Sequence, residues 1–211
     1  HPGLTELVEH IVSNTGFDYI RLLYLHPAKI TAELIELFGK YRALCPYIDM
    51  PVQHFHPDIL SKMGRNTRPN QIRRLFLRFR EIRPDIRIRT SLIVGFPGEN
   101  ETHFNTLVDF VRELQPDHLG VFTFSPEEGT KAEKMSNQVP PEIIRMRWEK
   151  LMQLQLKASS EKNAKLVNST ANVLIDEIDE NYCFFGHTPF QAPEIDGCVK
   201  KKKKNLTIGE E

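Results

Sequence analysis

The sequence has no excess of charge, no long apolar run and few cysteines. Its 28 Lys and Arg residues balance its 28 Asp and Glu residues, so the net charge indicates neither a nucleic-acid partner nor an acidic surface. No segment approaches the ~20 consecutive apolar residues of a membrane span, and no basic-then-apolar leader is present. We therefore expect a protein without a membrane partner that is located in the cytoplasm.

The cysteines are too few and too far apart for a disulfide framework. Cys45, Cys183 and Cys198 form neither a CxxC pair nor a Cys/His cluster with the spacing of metal ligands, so we expect no metal site in this chain. The first residue is His1, and a helix-like pattern follows at once. We expect the chain to be a piece of a longer protein.

What is present is an alternation of strand-like and helix-like segments. Short apolar runs at 19–25, 47–52, 86–94 and 118–124 alternate with segments such as 69–82 and 100–114, where apolar residues recur at spacings of three and four. Strands separated by helices pair in parallel. Four parallel strands cannot close a barrel and would leave two exposed edges. The predicted fold class is α/β: the later strands of a partial (βα) barrel.

The pattern changes after a long helical segment. Pro140 and Pro141 open this segment, which continues to about Leu166, and short strand-like runs and turns follow from Ala171. We place a domain boundary near Asn168. Residues 1–167 are predicted to form part of the barrel with its terminal helix, and residues 168–211 a small all-β module that is incomplete.

Ligand sites of parallel α/β folds lie at the carboxyl ends of the strands, so the residues after each run are the candidates. Gly95 and Gly98 either admit a flat ligand or make a tight turn that requires small residues. Gln53 and His54 either hydrogen-bond a ligand, with His54 as a possible proton carrier, or cap the strand end. The adjacent Glu127 and Glu128 are expected to be solvated.

Five stretches together resemble a known family. They are YIRLLYLHP at 19–27, YIDMPVQH at 47–54, RIRTSLIVGFPGE at 87–99, LGVFTFSPEEGT at 119–130 and APEIDG at 192–197. This combination resembles the radical S-adenosylmethionine methylthiotransferases, in particular the branch that modifies an aspartate of a small-subunit ribosomal protein. The resemblance implies a radical-SAM barrel followed by a small β-barrel called TRAM.

The resemblance also implies which residues contact S-adenosylmethionine. Residues 91–98 match a GxIxGxxG element that contacts the adenine, with Ser91 in place of the first glycine. Gln53 and His54 would border the ribose and methionine portions. The remaining cofactor contacts implied are Ile93, Gly95, Gly98, Phe122, Phe124 and Ser125. No catalytic residue is assigned.

The family uses two 4Fe-4S clusters together with S-adenosylmethionine. Cleavage of S-adenosylmethionine by one reduced cluster gives a radical that abstracts hydrogen from the substrate carbon, and sulfur from the second cluster is inserted; an external electron donor is required. The CxxxCxxC loop that holds the first cluster is absent from this sequence, and the three cysteines match neither ligand set. We therefore expect an enzyme whose 211-residue chain is inactive alone.

Regional charge bears on the substrate. Between 171 and 196 there are six carboxylates and no Lys or Arg, so Glu177, Asp179 and Glu180 are predicted to bind a basic ribosomal protein. A solvated acidic face without a partner is the other interpretation.

Two basic regions keep RNA as an alternative partner. One holds ten basic residues between Lys62 and Arg89, and the other is the run Lys200, Lys201, Lys202, Lys203 and Lys204. Because of these regions, a tRNA-adenosine methylthiotransferase of the same family remains an alternative function. A non-enzymatic RNA- or protein-binding module would follow if the chain is complete as given.

Overall fold

The computed structural model describes residues 3–180 and 183–202. These residues form a four-stranded parallel sheet with helices against it, followed by a three-stranded antiparallel sheet. In chain order the elements are α1 (Leu4–Asn14), β1 (Ile20–Leu22), a 3₁₀ turn (Pro27–Lys29), α2 (Ala32–Lys40), β2 (Leu44–Asp49), α3 (Pro57–Lys62), α4 (Pro69–Ile82), β3 (Arg87–Val94), α5 (Glu101–Leu114), β4 (His118–Thr123), α6 (Pro141–Ala164), β5 (Leu174–Ile178), β6 (Cys183–His187) and β7 (Val199–Lys202). The predicted α/β class is confirmed.

The parallel sheet has the strand order β1-β2-β3-β4, which is the order of the sequence. Each of the four apolar runs contributes one strand, as predicted. The second strand begins at Leu44, which pairs with Ile20 of β1, rather than at 47, and it ends at Asp49.

The helices α2, α4 and α5 cover one face of this sheet. The apolar side of α4, which includes Phe76 and Phe79, is fully buried, and the ring of Phe79 meets that of Phe38 edge-to-face at 5.5 Å. The arginine-rich side of α4 is partly paired with neighbouring helices, since Arg73 donates to Glu113 at 2.6 Å and Arg78 contacts Glu36. Part of the basic region between Lys62 and Arg89 is thus neutralised within the fold.

The long helix α6 runs beside the edge strand β4. The indole N–H of Trp148 donates to the carbonyl of Val121 at 2.8 Å, and the side-chain amide of Gln155 donates to the carbonyl of Asp117 at 3.0 Å. The expectation of two exposed edges is therefore wrong for β4. In the described part of the chain, β1 pairs with no strand besides β2. None of the described helices is long and apolar enough to cross a membrane.

The antiparallel sheet has the order β5-β6-β7. Since α6 ends at Ala164 and β5 begins at Leu174, the domain boundary near Asn168 falls between these elements; the division into two domains stays a prediction. Between β6 and β7 the chain leaves the small sheet, and residues 188–197, called here the 188–197 segment, pack against the parallel sheet. This segment connects the two sheets.

A candidate ligand site at the open face of the parallel sheet

The two faces of the parallel sheet have different environments. Along β3, Thr90, Leu92 and Val94 are buried toward the helices, whereas the alternating residues, among them Ser91 and Ile93, lie on the other face and are half-buried. We call this second face the inner face. The residues of β4 that lie on it beside Arg89, Ser91 and Ile93 are His118, Gly120 and Phe122.

The carboxyl-terminal part of the inner face is uncovered. It consists of Ser91, Ile93, Gly120 and Phe122 with Gln53 at its border, and we call these five residues the open patch. The side chain of Phe122 is exposed over 55% of its surface. A Cβ atom on Gly120 would come within 3.2 Å of the Phe122 ring, so the missing side chain leaves room for that ring.

Gln53 joins the open patch through its backbone. Its N–H donates to the carbonyl of Ser91, and its carbonyl accepts from the N–H of Ile93, both at 2.8 Å. Its φ of 69° is in the left-handed region, which is uncommon for a residue other than glycine. The strained residue is thus fixed by two hydrogen bonds at the carboxyl end of the sheet, where strain often accompanies function.

The other half of the inner face is covered by the 188–197 segment. Asp196, whose side chain is only 1% exposed, accepts from Arg89 at 2.6 Å and from the backbone N–H of Ala192 at 3.0 Å, and it lies 3.2 Å from His118 Nδ1. Burial raises the pKa of the neighbouring Tyr47, and the Asp196 carboxylate acts in the same direction. A ligand cannot reach this half without displacing the segment.

The turn after β3 is built by two glycines in left-handed conformation. Gly95 and Gly98 both have φ of 82°, and a Cβ atom on Gly95 would overlap the side chain of Ile144 in α6. The structure therefore differs from the expectation that Gly95 faces a ligand: the space beside it is filled by a helix. Of the two interpretations of these glycines, the tight turn is the one that the structure supports.

Glu99 fixes this turn from the helix side. Its carboxylate accepts from the N–H of Gly95 at 3.0 Å and from Arg147 at 2.7 Å, and it lies 3.1 Å from His54 Nε2. All three charged or polar side chains are at most 7% exposed. Burial lowers the pKa of His54, an effect that Glu99 partly offsets. We call Glu99, Arg147 and His54 the buried clamp.

The predicted cofactor contacts therefore divide into two sets. The structure brings Gln53, Ser91, Ile93 and Phe122 together in the open patch, and Phe124 follows at the strand end with its ring 5.3 Å from that of Phe96. Ser125 is exposed. Three other predicted contacts lie elsewhere: Gly95 and Gly98 are in the turn, and His54 is in the clamp.

His54 in particular has no free ring nitrogen. Its Nδ1 accepts from the N–H of His56 at 2.9 Å, and its Nε2 contacts Glu99. The expectation that it carries protons or binds the cofactor is corrected by this geometry, which is that of a capped strand end.

The predicted partner-binding residues lie in or near the small sheet. Glu177 and Glu180 are exposed, whereas Asp179 accepts from the backbone N–H of Cys183 at 2.8 Å and so helps to form the β5–β6 hairpin. Lys200 lies over the ring of Phe185, 5.0 Å from its centroid, and Lys201 is exposed. Lys202 ends β7, and Lys203 and Lys204 lie outside the described residues.

Sequence reasoning missed the residues that support the site. Glu99 and Asp196 were noticed as parts of the stretches GFPGE and APEIDG without a role, and Arg147 was not singled out. Their partners are distant in sequence, for example 48 residues between Glu99 and Arg147. The signal that could have indicated their supporting role is a carboxylate at the end of an apolar stretch, since a buried carboxylate needs a partner.

Four parallel strands with an open carboxyl end and a glycine turn form an open α/β half-barrel, and the comparisons assign its class. The Radical SAM superfamily model matches residues 1–111, and the chain belongs to this superfamily. The solved structure of coproporphyrinogen III oxidase (HemN) from Escherichia coli, a radical SAM enzyme, matches with a TM-score of 0.52 at 22% identity over 82% of this chain and 37% of that one. This match shows the fold.

The chain is also similar to curated relatives named ribosomal protein uS12 methylthiotransferase RimO. That of Geobacter sulfurreducens is 42% identical over 99% of this chain, and that of Clostridioides difficile is 42% identical over 98%. The chain spans about half the length of these relatives, 47% in both cases.

Membership in the superfamily implies S-adenosylmethionine and an iron–sulfur cluster, and the residues present fit only the first. The open patch offers an exposed aromatic ring, an apolar side chain and neutral polar groups, which suit a nucleoside. Cys45 and Cys183 are buried and Cys198 is exposed. Among the described residues, the His, Cys and carboxylate side chains close enough together to hold a metal ion include no cysteine. The cysteines thus do not belong to a ligand cluster within the described residues.

Proposed function

We propose that this chain supplies part of the S-adenosylmethionine pocket of a methylthiotransferase that modifies ribosomal protein uS12, on the β-carbon of an aspartate. The observation that carries the proposal is the open patch: four of the residues implied as cofactor contacts, Gln53, Ser91, Ile93 and Phe122, lie side by side on an uncovered sheet face. The names of the curated relatives support the reaction and the substrate.

In this proposal the chain binds and orients the cofactor. The ring of Phe122 stacks on the adenine, Ile93 contacts it from the same face, and the polar side chains of Ser91 and Gln53 hydrogen-bond the adenosyl group. Phe124 and Ser125 border the pocket. S-adenosylmethionine and the iron–sulfur clusters supply the radical chemistry and the sulfur, with electrons from an external donor, and the protein contributes orientation and exclusion of water.

The substrate is proposed to be the basic ribosomal protein rather than RNA. Glu177 and Glu180 are exposed and present negative charge, which attracts a basic protein and repels phosphates. The basic side of α4 is partly paired with Glu113 and Glu36, which weakens the case for RNA there. Since ribosomal proteins are made and assembled in the cytoplasm, the enzyme is proposed to act there.

The test measures cofactor binding and substrate modification separately. In the cluster-containing enzyme, Gln53→Ala is expected to weaken S-adenosylmethionine binding. Charge reversal by Glu177→Lys and Glu180→Lys is expected to weaken uS12 modification while leaving cleavage of S-adenosylmethionine unchanged. Neutralising Lys200 and Lys201 serves as the control for RNA. If the parent enzyme modifies a tRNA adenosine and not uS12, and neutralising Lys200 and Lys201 weakens its binding to that tRNA, the tRNA alternative replaces the ribosomal protein.

We further propose that the 211-residue chain alone holds no 4Fe-4S cluster and is inactive. After anaerobic reconstitution with iron and sulfide, analysis of the purified chain is expected to find neither element in stoichiometric amount. A stoichiometric cluster on the chain would show that its three cysteines bind iron.

A further inference from the structure

Two histidines and an aspartate converge on the helix side of the sheet, outside the open patch. His56 precedes α3, Asp58 lies in the first turn of α3, and His103 is the third residue of α5. The two helices follow neighbouring strands, so the fold brings His103 close to His56 and Asp58, which precede it by 47 and 45 positions. We call these three residues the His-Asp cluster.

The three residues are close enough together to bind a single metal ion. One ligand atom from each of the three residues lies within 4.8 Å of the other two, and His56 Nδ1 is 3.9 Å from Asp58 Oδ2. The two imidazole rings are 4.2 Å apart between centroids. Ligand atoms around a tetrahedral zinc ion lie roughly 3.4 Å apart, so small side-chain rotations would close the site.

The surroundings favour a metal ion that is reached from solvent. His103 Nδ1 accepts from the N–H of Asn100 at 3.2 Å and also lies 3.2 Å from the carbonyl of Gly98. With zinc on Nε2, Nδ1 would carry the proton and donate to that carbonyl instead, the contact by which metal-binding histidines usually orient the other nitrogen toward the ion. Asp58, with its side chain 70% exposed, provides a carboxylate and offsets the positive charge of the nearby Lys62. Two imidazoles and one carboxylate form a ligand set that zinc accepts, with the fourth position left for water.

We propose that His56, Asp58 and His103 bind one zinc ion. The site is separate from the open patch, shares no residue with it, and does not depend on the proposed methylthiotransferase activity. It also departs from the sequence-based expectation of no metal site, because that expectation considered only ligands spaced along the chain.

The test uses variants that preserve the helix starts. His56→Asn keeps an acceptor for the N–H of Asp58, and His103→Gln keeps the acceptor for the N–H of Asn100, but both remove an imidazole. Titration calorimetry with zinc chloride is performed on the chain in a Cys198→Ser background, because the exposed thiol is itself a zinc ligand. We expect one site, with affinity reduced at least about tenfold in each variant and by less in Asp58→Asn.

A matched control tests whether zinc binds nonspecifically to any histidine beside a carboxylate. His187 also lies beside a carboxylate, 2.7 Å from Asp176, but without a second imidazole, so His187→Gln is expected to leave zinc affinity unchanged. Cobalt(II) absorption in the visible range provides a second measurement and should be lost in His56→Asn and His103→Gln. The proposal is overturned if the parent chain binds zinc only in the millimolar range, or if both folded variants, checked by circular dichroism, bind zinc as the parent does.

Discussion

The two halves of the inner face differ in how their polar groups are satisfied. In the half covered by the 188–197 segment, Arg89 and His118 meet Asp196, whose side chain is only 1% exposed. In the open patch the polar groups are neutral, and Phe122 is 55% exposed. Charge is therefore concentrated where the chain itself supplies a partner, as buried charge requires.

The open patch also has its charged support on the opposite face of the sheet. Glu99, Arg147 and His54 connect the end of β2, the turn after β3 and helix α6. The ligand-facing surface is thus separate from the groups that hold it in position. The 188–197 segment thus stabilises one half of the inner face by covering it. The buried clamp, on the helix side of the sheet, positions the open patch.

The largest expected effect comes from breaking the buried clamp. Glu99→Gln leaves Arg147 buried without its one buried charged partner among the described residues, so we expect the free energy of unfolding to fall by about 3–5 kcal/mol, measured by urea denaturation. Glu101→Gln is the matched control: Glu101 lies 3.7 Å from the same arginine but is 75% exposed, and its loss is expected to cost less than about 1 kcal/mol. Equal losses of stability from the two changes would show that the buried ion pair between Glu99 and Arg147 contributes no more than an exposed one.

The covered half is tested by Asp196→Asn. The change removes the charge that Arg89 meets while keeping the side-chain size, so we expect a loss of about 2–3 kcal/mol. Hydrogen exchange should increase in the 188–197 segment and remain unchanged at the glycine turn. Glu194→Gln, an exposed change in the same segment, is the control. If exchange increased equally at the glycine turn, the two halves would form one cooperative unit.

Much of the fold could be predicted because local patterns determine it. The apolar spacings along α4 and α5 are properties of consecutive residues, and both helices are confirmed. The edge of β4 was predicted wrongly because its protection depends on Trp148, a side chain from a helix that follows a long loop. Contacts of this kind leave no periodic signal.

The site shows the same limit. The carboxyl-end rule located the strand tips, but whether a residue there faces a ligand or a helix depends on the next element in space. His54 follows Gln53 directly, yet one is buried in the clamp and the other borders the open patch. Gly95 lies against Ile144, which is 49 positions away, and no feature of the turn sequence indicates this contact.

The third prediction compares two glycines with the same backbone conformation. Alanine at Gly95 or Gly98 incurs the cost of a left-handed φ, about 1 kcal/mol in both cases. At Gly98 the new Cβ meets only the flexible end of Lys62 at 2.9 Å, whereas at Gly95 it overlaps Ile144. We therefore expect Gly95→Ala to cost about 1–3 kcal/mol more than Gly98→Ala in unfolding free energy.

Shortening the opposing side chain checks the cause of that difference. In the double variant Gly95→Ala with Ile144→Ala, the overlap is removed, so the combined loss should be smaller than the sum of the two single losses. Strict additivity would mean that the contact with α6 is not what makes Gly95 necessary. If the space beside Gly95 were instead left for a ligand, Gly95→Ala would cost the free chain only the left-handed φ, as Gly98→Ala does.

The smallest effect on stability is expected in the open patch. Phe122→Ala removes an exposed ring, and such surface changes usually alter the unfolding free energy by less than about 0.5 kcal/mol. Leu77→Ala, at 56% exposure on α4, is the matched control for stability.

Binding should separate these two variants. If the Phe122 ring stacks on the adenine, its loss weakens S-adenosylmethionine binding by about 1–3 kcal/mol, the usual value of one aromatic–base contact. Leu77→Ala should leave the affinity unchanged, since Leu77 lies on the helix layer. Equilibrium binding to the cluster-containing enzyme provides the measurement. If Phe122→Ala binds S-adenosylmethionine as tightly as the parent, the open patch is not the adenine site. A different ligand would then have to account for the exposed Phe122 ring.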